Sequence, residues 1–274
     1  MIVNKYSIHS KIGQGQFGSI YKGKYNKTKE DIVIKFELIS SDIKLLKHET
    51  TILNYLFNKG SKNTPFVYWY GIYKKYHGLI IPYYECTLEQ YLLHNEITNE
   101  KITMMICKMI NILQTIHEIG VIHRDIKPQN FMLKSDEIYL IDFGLSTIFV
   151  DENLKHVEAK NSNHFIIGTP KFISLHIHNG IDASRRDDVI SLMYLYIFMK
   201  CNMHLPWENV EDIQDEYSPN HIMHYKNQQR KKLKEYYLET ITHPLDKQIF
   251  NYMYLIDFKT VPLYQWLIEI INDS

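Results

Sequence analysis

Two short polar stretches have the residue types and the spacing that phosphoryl transfer requires. Residues 123–130 contain Asp125, Lys127 and Asn130, and Asp142 opens an Asp-Phe-Gly segment downstream. Asp125 can orient a hydroxyl group and accept its proton, and Lys127 can neutralise a phosphoryl group in transit. The side-chain oxygens of Asn130 and Asp142 suit a hard divalent cation such as Mg2+. These four residues are the predicted catalytic set of a phosphoryl-transfer site, and Asn130 and Asp142 are its predicted metal ligands.

The composition of the whole chain limits its partners and its compartment. The 274 residues include 31 Lys and Arg and 31 Asp and Glu, so no overall charge attracts nucleic acid or an anionic membrane. The longest apolar run, residues 189–199, is too short to span a bilayer, and the N-terminus lacks the pattern of a secretory signal. Three scattered cysteines favour reduced thiols in an intracellular compartment. We expect a monomer that binds neither nucleic acid nor membranes.

A glycine-rich segment near the N-terminus joins two predicted strands. Residues 7–12 and 19–24 have β-type sequence, and Gly13, Gly15 and Gly18 lie between them. Glycines allow backbone N–H groups to approach phosphate oxygens closely. The glycines alone also fit an ordinary flexible hairpin or a dinucleotide-binding turn. A dinucleotide fold needs a helix after the glycines, whereas this sequence continues as a strand.

Three segments carry a specific family resemblance. They are His-Arg-Asp-Ile-Lys-Pro-Gln-Asn-Phe at residues 123–131, Gly-Thr-Pro-Lys-Phe-Ile-Ser at residues 168–174 and Ser-Arg-Arg-Asp-Asp at residues 184–188. Together they resemble the casein kinase 1 family of eukaryotic serine/threonine protein kinases, in which a segment like Ser174-Leu175-His176 replaces the usual Ala-Pro-Glu. The resemblance covers residues 8–271. Vaccinia-related kinases belong to the same group and are the alternative match.

The resemblance implies an α+β, bilobal protein-kinase fold in one domain. We expect a small β-rich N-terminal lobe at residues 1–81, a hinge at residues 82–86 and a larger, mostly helical C-terminal lobe at residues 87–274. The apolar pattern predicts one N-lobe helix at residues 42–57, capped by Ser40 or Ser41. It also predicts strands at residues 66–73, 77–81, 131–133 and 138–141, and helices at residues 100–120 and 189–199.

The resemblance further implies an ATP site in the N-terminal lobe. Lys35, at the end of a predicted strand, would grip the phosphates and pair with a helix glutamate. Glu49 is the predicted partner, because Glu37 lies too close on the same strand to reach back; a solvated helix face is the alternative interpretation of Glu49. The backbone N–H of Tyr84 is expected to donate a hydrogen bond to the adenine. Besides the three glycines, six residues are expected to line the nucleotide: Ile12, Ile20, Val33, Ile81, Tyr84 and Met132.

The resemblance also implies the reaction. Lys127, two residues after Asp125, matches the serine/threonine-specific form of the loop, so we expect Mg2+-dependent transfer from ATP to Ser and Thr hydroxyls of protein substrates, acidic ones among them. Asp188 is expected to hold the backbone near His123 and Arg124, and residues 145–167 to form the activation segment. A pseudokinase scaffold and a small-molecule kinase are the alternatives. Scaffolds commonly lose the strand lysine, the loop aspartate or the metal aspartate, and all three are present.

Three positions that the family uses to bind already phosphorylated (primed) substrates depart from its pattern. Lys171 stands where arginine is typical, and lysine loses the bidentate geometry. A second position falls near His164, which is only partly charged at neutral pH. The third falls in the acidic run 211–216, which precedes a basic run at residues 230–232 that we interpret as a solvated helix face. The sequence therefore puts a preference for primed substrates in doubt.

Overall fold

The computed structural model of the chain describes residues 5–15, 18–159, 166–210 and 219–273. His164 and the acidic run 211–216 lie outside the described residues. The described residues form two units. The first comprises the chain up to Thr87 together with Phe131–Ser146, and the second comprises Leu88–Asn130 and the chain from Thr147. Strands dominate the first unit and helices the second, which confirms the α+β class; the lobe and hinge boundaries stay a prediction.

The strands and helices of the described residues are numbered in chain order. The strands are β1 (Tyr6–Gly15), β2 (Gly18–Tyr25), β3 (Asp31–Leu38), β4 (Trp69–Tyr73), β5 (Tyr76–Pro82), β6 (Cys86–Thr87), β7 (Val121–Ile122), β8 (Phe131–Lys134), β9 (Glu137–Leu140) and β10 (Thr147–Ile148). The helices are α1 (Leu45–Asn58), α2 (Leu88–His94), α3 (Asn99–Glu118), α4 (Leu175–His178), α5 (Arg185–Lys200), α6 (Pro219–Thr240), α7 (Pro244–Leu255) and α8 (Tyr264–Asn272). Single 3₁₀ turns span Pro128–Asn130 and Phe143–Leu145.

The main sheet of the first unit is antiparallel, with the strand order β1-β2-β3-β5-β4. In its register Lys35 lies opposite Ile20 of β2, and Val33 lies opposite Ile81 of β5. Directly opposed residues of antiparallel strands share a face, as do residues two apart on one strand. Four of the predicted nucleotide residues therefore lie on one face of this sheet.

The opposite face of the sheet anchors β3. Ile32 and Ile34 are fully buried there, and Phe36 is nearly so. Aromatic rings cover this face, with Tyr21 and Tyr73 each within 6 Å of the Phe36 ring, centroid to centroid. Because the rings bury the alternate side chains of β3, the strand that carries Lys35 is held firmly in its register.

Helix α1 begins at Leu45 and is capped by an acidic side chain from β3. Glu37 Oε1 accepts hydrogen bonds from the backbone N–H groups of Leu45 at 2.9 Å and Leu46 at 3.4 Å. The hydroxyl of Ser41 instead donates to the carbonyl of Ile43. The predicted start at residue 42 and the predicted serine cap are therefore wrong. A buried carboxylate satisfies the unpaired N–H groups of the first turn and is favoured by the helix dipole.

Most of the other predicted elements are present with shifted ends. The strand predicted at residues 66–73 begins only at Trp69, and β5 runs on to Pro82, which the sequence analysis placed in the hinge. The long helix predicted at residues 100–120 is α3, where Thr98 accepts the Lys101 N–H as a cap and Gly120 follows the end with a φ of 97°. These shifts lie at element ends, where an apolar pattern carries little information.

Helix α5 is the central helix of the second unit. Every residue from Arg186 to Met199 is buried, as expected for residues 189–199. Its N-terminus is fixed by Asp187, whose carboxylate accepts the backbone N–H of Ser184 at 2.8 Å. Among the helices that the structure describes, none has the length and the apolar character that crossing a bilayer demands.

The short helix α4 contains a titratable group that makes stability depend on pH. The ring of His176 packs on the ring of Tyr254, with the centroids 5.2 Å apart. Burial, helped by the nearby charge of Arg186, lowers the pKa of His176 to about 4. In the unfolded chain a histidine titrates near a pKa of about 6.5. Between those values the unfolded state binds a proton that the folded state does not, so stability falls as the pH drops through that window.

A phenylalanine at this position is expected to reduce that acid sensitivity. His176→Phe keeps an aromatic ring against Tyr254 but cannot titrate. Urea unfolding at about pH 7.5 and about pH 5.5 should show a smaller loss of stability on acidification for the variant than for the wild type. His94→Phe, at an exposed position of α2, is the control and should match the wild type. Equal pH dependence in His176→Phe and the wild type would show that His176 does not contribute.

Candidate active site

The first unit brings together three charged side chains of the predicted site. Lys35 Nζ lies 2.7 Å from Glu49 Oε1 and 3.7 Å from Asp142 Oδ1. The lysine comes from β3, the glutamate from α1, and Asp142 from the segment that follows β9. The pairing of Lys35 with Glu49 that the sequence analysis expected is therefore present, and Asp142 joins it.

The two carboxylates of this cluster stabilise the charged form of Lys35. Glu49 is 2% exposed and Lys35 is 13% exposed on their side chains. Burial opposes the charge on Lys35, but the carboxylates of Glu49 and Asp142 outweigh it and raise the pKa of the lysine. The same burial raises the pKa of the Glu49 carboxyl, and the adjacent ammonium opposes that rise. Lys35 is thus a fixed positive charge on the sheet face that it shares with Ile20, Val33 and Ile81.

Asp142 is held in an unusual backbone conformation. Its φ of 66° and ψ of 70° lie in the left-handed region, which a residue with a side chain rarely adopts. Such strain persists only where the surroundings impose it, and it is common at functional sites. The segment after it is tied to α1, since His48 Nε2 lies 2.7 Å from the carbonyl oxygen of Ser146. The Asp142 side chain is 51% exposed, so its carboxylate can be reached by a ligand.

The glycines of the hairpin differ in how closely other atoms approach them. A Cβ at Gly18 would lie 1.7 Å from the carbonyl oxygen of Phe36, so the close approach of β2 to β3 requires glycine there. A Cβ at Gly13 would meet nothing closer than 3.8 Å. Packing against the residues that the structure describes therefore does not explain Gly13. Gly15 lies opposite Gly18 at the end of the paired strands.

The remaining predicted nucleotide residues also belong to the first unit. Ile12 is about half exposed on β1, while Ile81 and Tyr84 are buried. The ring of Tyr84 packs on Tyr139, with the centroids 4.6 Å apart. Met132 lies on β8, directly opposite Tyr139 of β9. Their contacts with a nucleotide stay a prediction.

In the second unit, Asp125 is the centre of a hydrogen-bonded cluster. It is 7% exposed. Asn130 Nδ2 donates to the backbone carbonyl of Asp125 at 2.8 Å and to its Oδ2 at 3.1 Å, and Lys127 Nζ lies 2.6 Å from the same Oδ2. The 3₁₀ turn Pro128–Asn130 folds the chain back so that Asn130 reaches Asp125. Three of the four predicted catalytic residues are thus in contact.

Thr169 is a site residue that the sequence analysis missed. Its hydroxyl donates to Asp125 Oδ1 at 2.7 Å and accepts from Lys127 Nζ at 3.1 Å. It follows Gly168, whose φ of 102° and whose approach to the carbonyl of Arg124 both require glycine. The only signal in the sequence was the Gly-Thr-Pro segment, which carried the resemblance without a role for its threonine.

Asp188 holds the backbone of the catalytic loop, as predicted. Its carboxylate accepts the backbone N–H of His123 at 2.6 Å and of Arg124 at 2.8 Å, and it lies 3.0 Å from His117 Nε2. Burial opposes its ionisation, but the hydrogen bonds from His117 and the His123 backbone prevail and lower the pKa of Asp188. Arg124 has a φ of 69°, so this carboxylate fixes a strained turn directly before Asp125.

Lys171, a predicted phosphate-binding position, forms an ion pair with Glu208. Its Nζ lies 2.5 Å from Glu208 Oε1 and 4.5 Å from the centroid of the Phe198 ring. Glu208 also accepts the backbone N–H of Leu205 at 3.1 Å, which fixes the carboxylate in place. The charge of Lys171 is therefore neutralised by Glu208, whose carboxylate is fixed by the Leu205 N–H.

The chain also matches the model of a known protein family. The family model described as "protein kinase domain" matches residues 6–253 of the chain. The matched range includes every residue of the two clusters described above.

Proposed function

Because the chain belongs to the protein kinase family, we propose that it transfers the γ-phosphoryl group of ATP to serine and threonine hydroxyls of proteins. The observation that carries the proposal is the cluster of Asp125, Lys127 and Thr169. It combines a carboxylate that can accept a proton with an ammonium group that can neutralise a phosphoryl group beside it.

The carboxylate of Asp125 is oriented before any substrate arrives. The Thr169 hydroxyl donates a hydrogen bond to Oδ1 of Asp125. Its Oδ2 accepts a hydrogen bond from Asn130 Nδ2 and forms an ion pair with Lys127 Nζ. A fixed carboxylate can align a substrate hydroxyl for attack and take its proton, with little reorganisation during the reaction. In the proposal Asp125 is the general base and Lys127 stabilises the charge of the phosphoryl group.

The residues of the first unit are proposed to bind the nucleotide. Lys35, kept charged by Glu49 and Asp142, would bind phosphate oxygens, and the backbone around Gly13 leaves room for them. The apolar residues on the Lys35 face of the sheet are proposed to contact the adenosine part.

The donor atoms suit magnesium. Asp142 offers an exposed carboxylate, and the amide nitrogen of Asn130 is engaged by Asp125, which leaves its oxygen for a metal. Oxygen ligands of this type are those that Mg2+ prefers. When bound, ATP would supply the phosphoryl group and Mg2+ would neutralise charge on its oxygens.

We propose further that the enzyme is casein kinase 1-like. Two of the segments that carry the resemblance contact each other, since Ser174 Oγ donates to Asp187 Oδ1 at 2.5 Å. The same hydroxyl accepts the backbone N–H of Ile177 and so caps α4. Ser174 therefore has a specific partner where most protein kinases have Ala-Pro-Glu.

An assay with radiolabelled ATP and Mg2+ on a panel of proteins and peptides tests the proposal. We expect label on phosphoserine and phosphothreonine after hydrolysis of the product. Label only on phosphotyrosine would overturn the acceptor assignment. Nucleotide binding without transfer to any substrate would identify the pseudokinase alternative, and transfer only to metabolites would identify a small-molecule kinase.

Lys171 is expected to contribute little to the choice between primed and unprimed substrates, because Glu208 neutralises it. Peptides with and without an upstream phosphoserine should be phosphorylated at similar rates, and Lys171→Ala should leave the ratio of the two rates unchanged. Glu208→Gln is the matched variant, because the amide oxygen can still accept the Leu205 N–H while the charge is removed. It should raise the relative rate on the primed peptide. A strong primed preference that Lys171→Ala abolishes would contradict this assignment.

A further inference from the structure

Lys234 is a buried amine in α6 to which the proposed reaction assigns no role. It is 0% exposed. None of the carboxylates that the structure describes lies within ion-pair distance of it. Burial, with the nearby charge of Arg230, lowers the pKa of Lys234 well below its usual value. Burying a lysine away from every carboxylate in the described part of the chain is unfavourable, so the hydrogen bonds that its amine makes are the ones to account for.

The amine of Lys234 makes three short contacts. Nζ donates to the carbonyl oxygens of Pro170 at 2.9 Å and Ile173 at 2.7 Å, and it lies 3.3 Å from His178 Nε2. The ring of Tyr194 packs beside it, with its centroid 5.0 Å from Nζ. One amine thereby donates to two carbonyl groups of the same turn, and an apolar side chain would remove this donor from the buried carbonyl of Ile173.

Both carbonyls belong to the turn that carries Thr169. The backbone N–H groups of Phe172 and Ile173 donate to the carbonyl of Thr169, which closes the turn. Trp207 Nε1 donates to the carbonyl of residue 171 between the two Lys234 contacts, at 2.8 Å. The outer side of the turn is thus held by buried donors, and its inner side presents the Thr169 hydroxyl to Asp125 at 2.7 Å.

We propose that Lys234 is a positioning residue for phosphoryl transfer, which sets the turn at residues 169–173 so that Thr169 stays on Asp125. This inference rests on the proposed function. Loss of the two carbonyl contacts frees the turn, and Asp125 then loses one of the donors that orient it toward the substrate hydroxyl. The nucleotide residues Lys35 and Glu49 belong to the first unit, so the effect should fall on the protein substrate and on turnover.

The test uses Lys234→Met, which keeps the length and the apolar stem but has no donor. We expect kcat/KM for a protein substrate to fall by about tenfold or more, the KM for ATP to stay as in the wild type, and amide hydrogen exchange at Phe172 and Ile173 to accelerate. Lys232→Met, at an exposed position of the same helix, is the control and should behave as the wild type. Should Lys234→Met fail to fold, Lys234→Gln keeps a donor and is expected to give an intermediate loss.

A double-mutant cycle separates positioning from general stability. Thr169→Val removes the hydroxyl, so its effect and that of Lys234→Met should not add if both act on the same contact with Asp125. Wild-type kinetics and unchanged exchange in the lysine variants would overturn the inference, as would fully additive losses. A wild type that transfers no phosphate would defeat the proposed function, while exchange at Phe172 and Ile173 would still decide whether Lys234 holds the turn.

Discussion

Replacing Asp125 with asparagine is expected to lower the rate of protein phosphorylation by about 10²- to 10⁴-fold while nucleotide binding is retained. Asparagine has the shape of aspartate but cannot accept the proton of a substrate hydroxyl at neutral pH. Its amide nitrogen would also face donors, because Lys127 and Thr169 both approach the carboxylate in the wild type. The loss should therefore appear in kcat, measured with a protein substrate at saturating ATP.

Two measurements make the Asp125 result specific. Calorimetric titration with a non-hydrolysable ATP analogue should give similar affinities for Asp125→Asn and the wild type. Asp136→Asn, in the exposed turn between β8 and β9, removes a carboxylate elsewhere and should leave turnover unchanged. Normal turnover in Asp125→Asn would exclude residues 123–130 as the catalytic loop.

Replacing Lys35 with alanine is expected to reduce both stability and phosphoryl transfer. Glu49 is 2% exposed and would be left buried without its cation. Breaking a buried ion pair by removing one partner typically costs about 3 to 5 kcal/mol. Thermal or urea unfolding should show the loss of stability, and phosphorylation assays over a range of ATP concentrations should show the loss of activity.

A double variant distinguishes the two effects of Lys35. Lys35→Met combined with Glu49→Leu replaces the pair with apolar side chains, and such replacements are often neutral for stability. The double variant should unfold near the wild-type midpoint and still lack phosphoryl transfer, since the ammonium group of Lys35 is no longer there to bind the phosphates. Wild-type activity in this stable double variant would remove Lys35 from the nucleotide site.

Motif spacing was enough to predict the residues that act close to one another in sequence or in one sheet. Asp125, Lys127 and Asn130 lie within a single loop, so their contacts follow from local geometry. Glu49 could be predicted as the partner of Lys35 because the family resemblance implies a lysine–glutamate pair and an amphipathic helix follows β3. The glycine-rich hairpin was found in the same way, from local pattern.

The residues that sequence reasoning missed act through contacts between distant segments. Glu37 caps α1 because its place on β3 brings its carboxylate to the first turn of the helix. No sequence pattern in residues 37–45 indicates this contact. Thr169 and Lys234 are distant from Asp125 in the chain, and only the folded second unit connects the three. Lys234 also follows the basic run 230–232, which the sequence analysis interpreted as a solvated helix face. The helical period nevertheless places the side chain of Lys234 on the buried side of α6.

The cap that Glu37 provides couples the movement of α1 to that of β3. Glu37 and Lys35 lie two residues apart on β3. Glu37 binds the first turn of α1, and Lys35 binds Glu49 of the same helix. Displacing the helix from β3 would break both attachments together, and the shorter cap bond, at 2.9 Å, alone represents about 1.5 to 3 kcal/mol. Lys35, Glu49 and the first turn of α1 are therefore expected to move as one body, and a ligand that displaces the helix would have to supply that free energy.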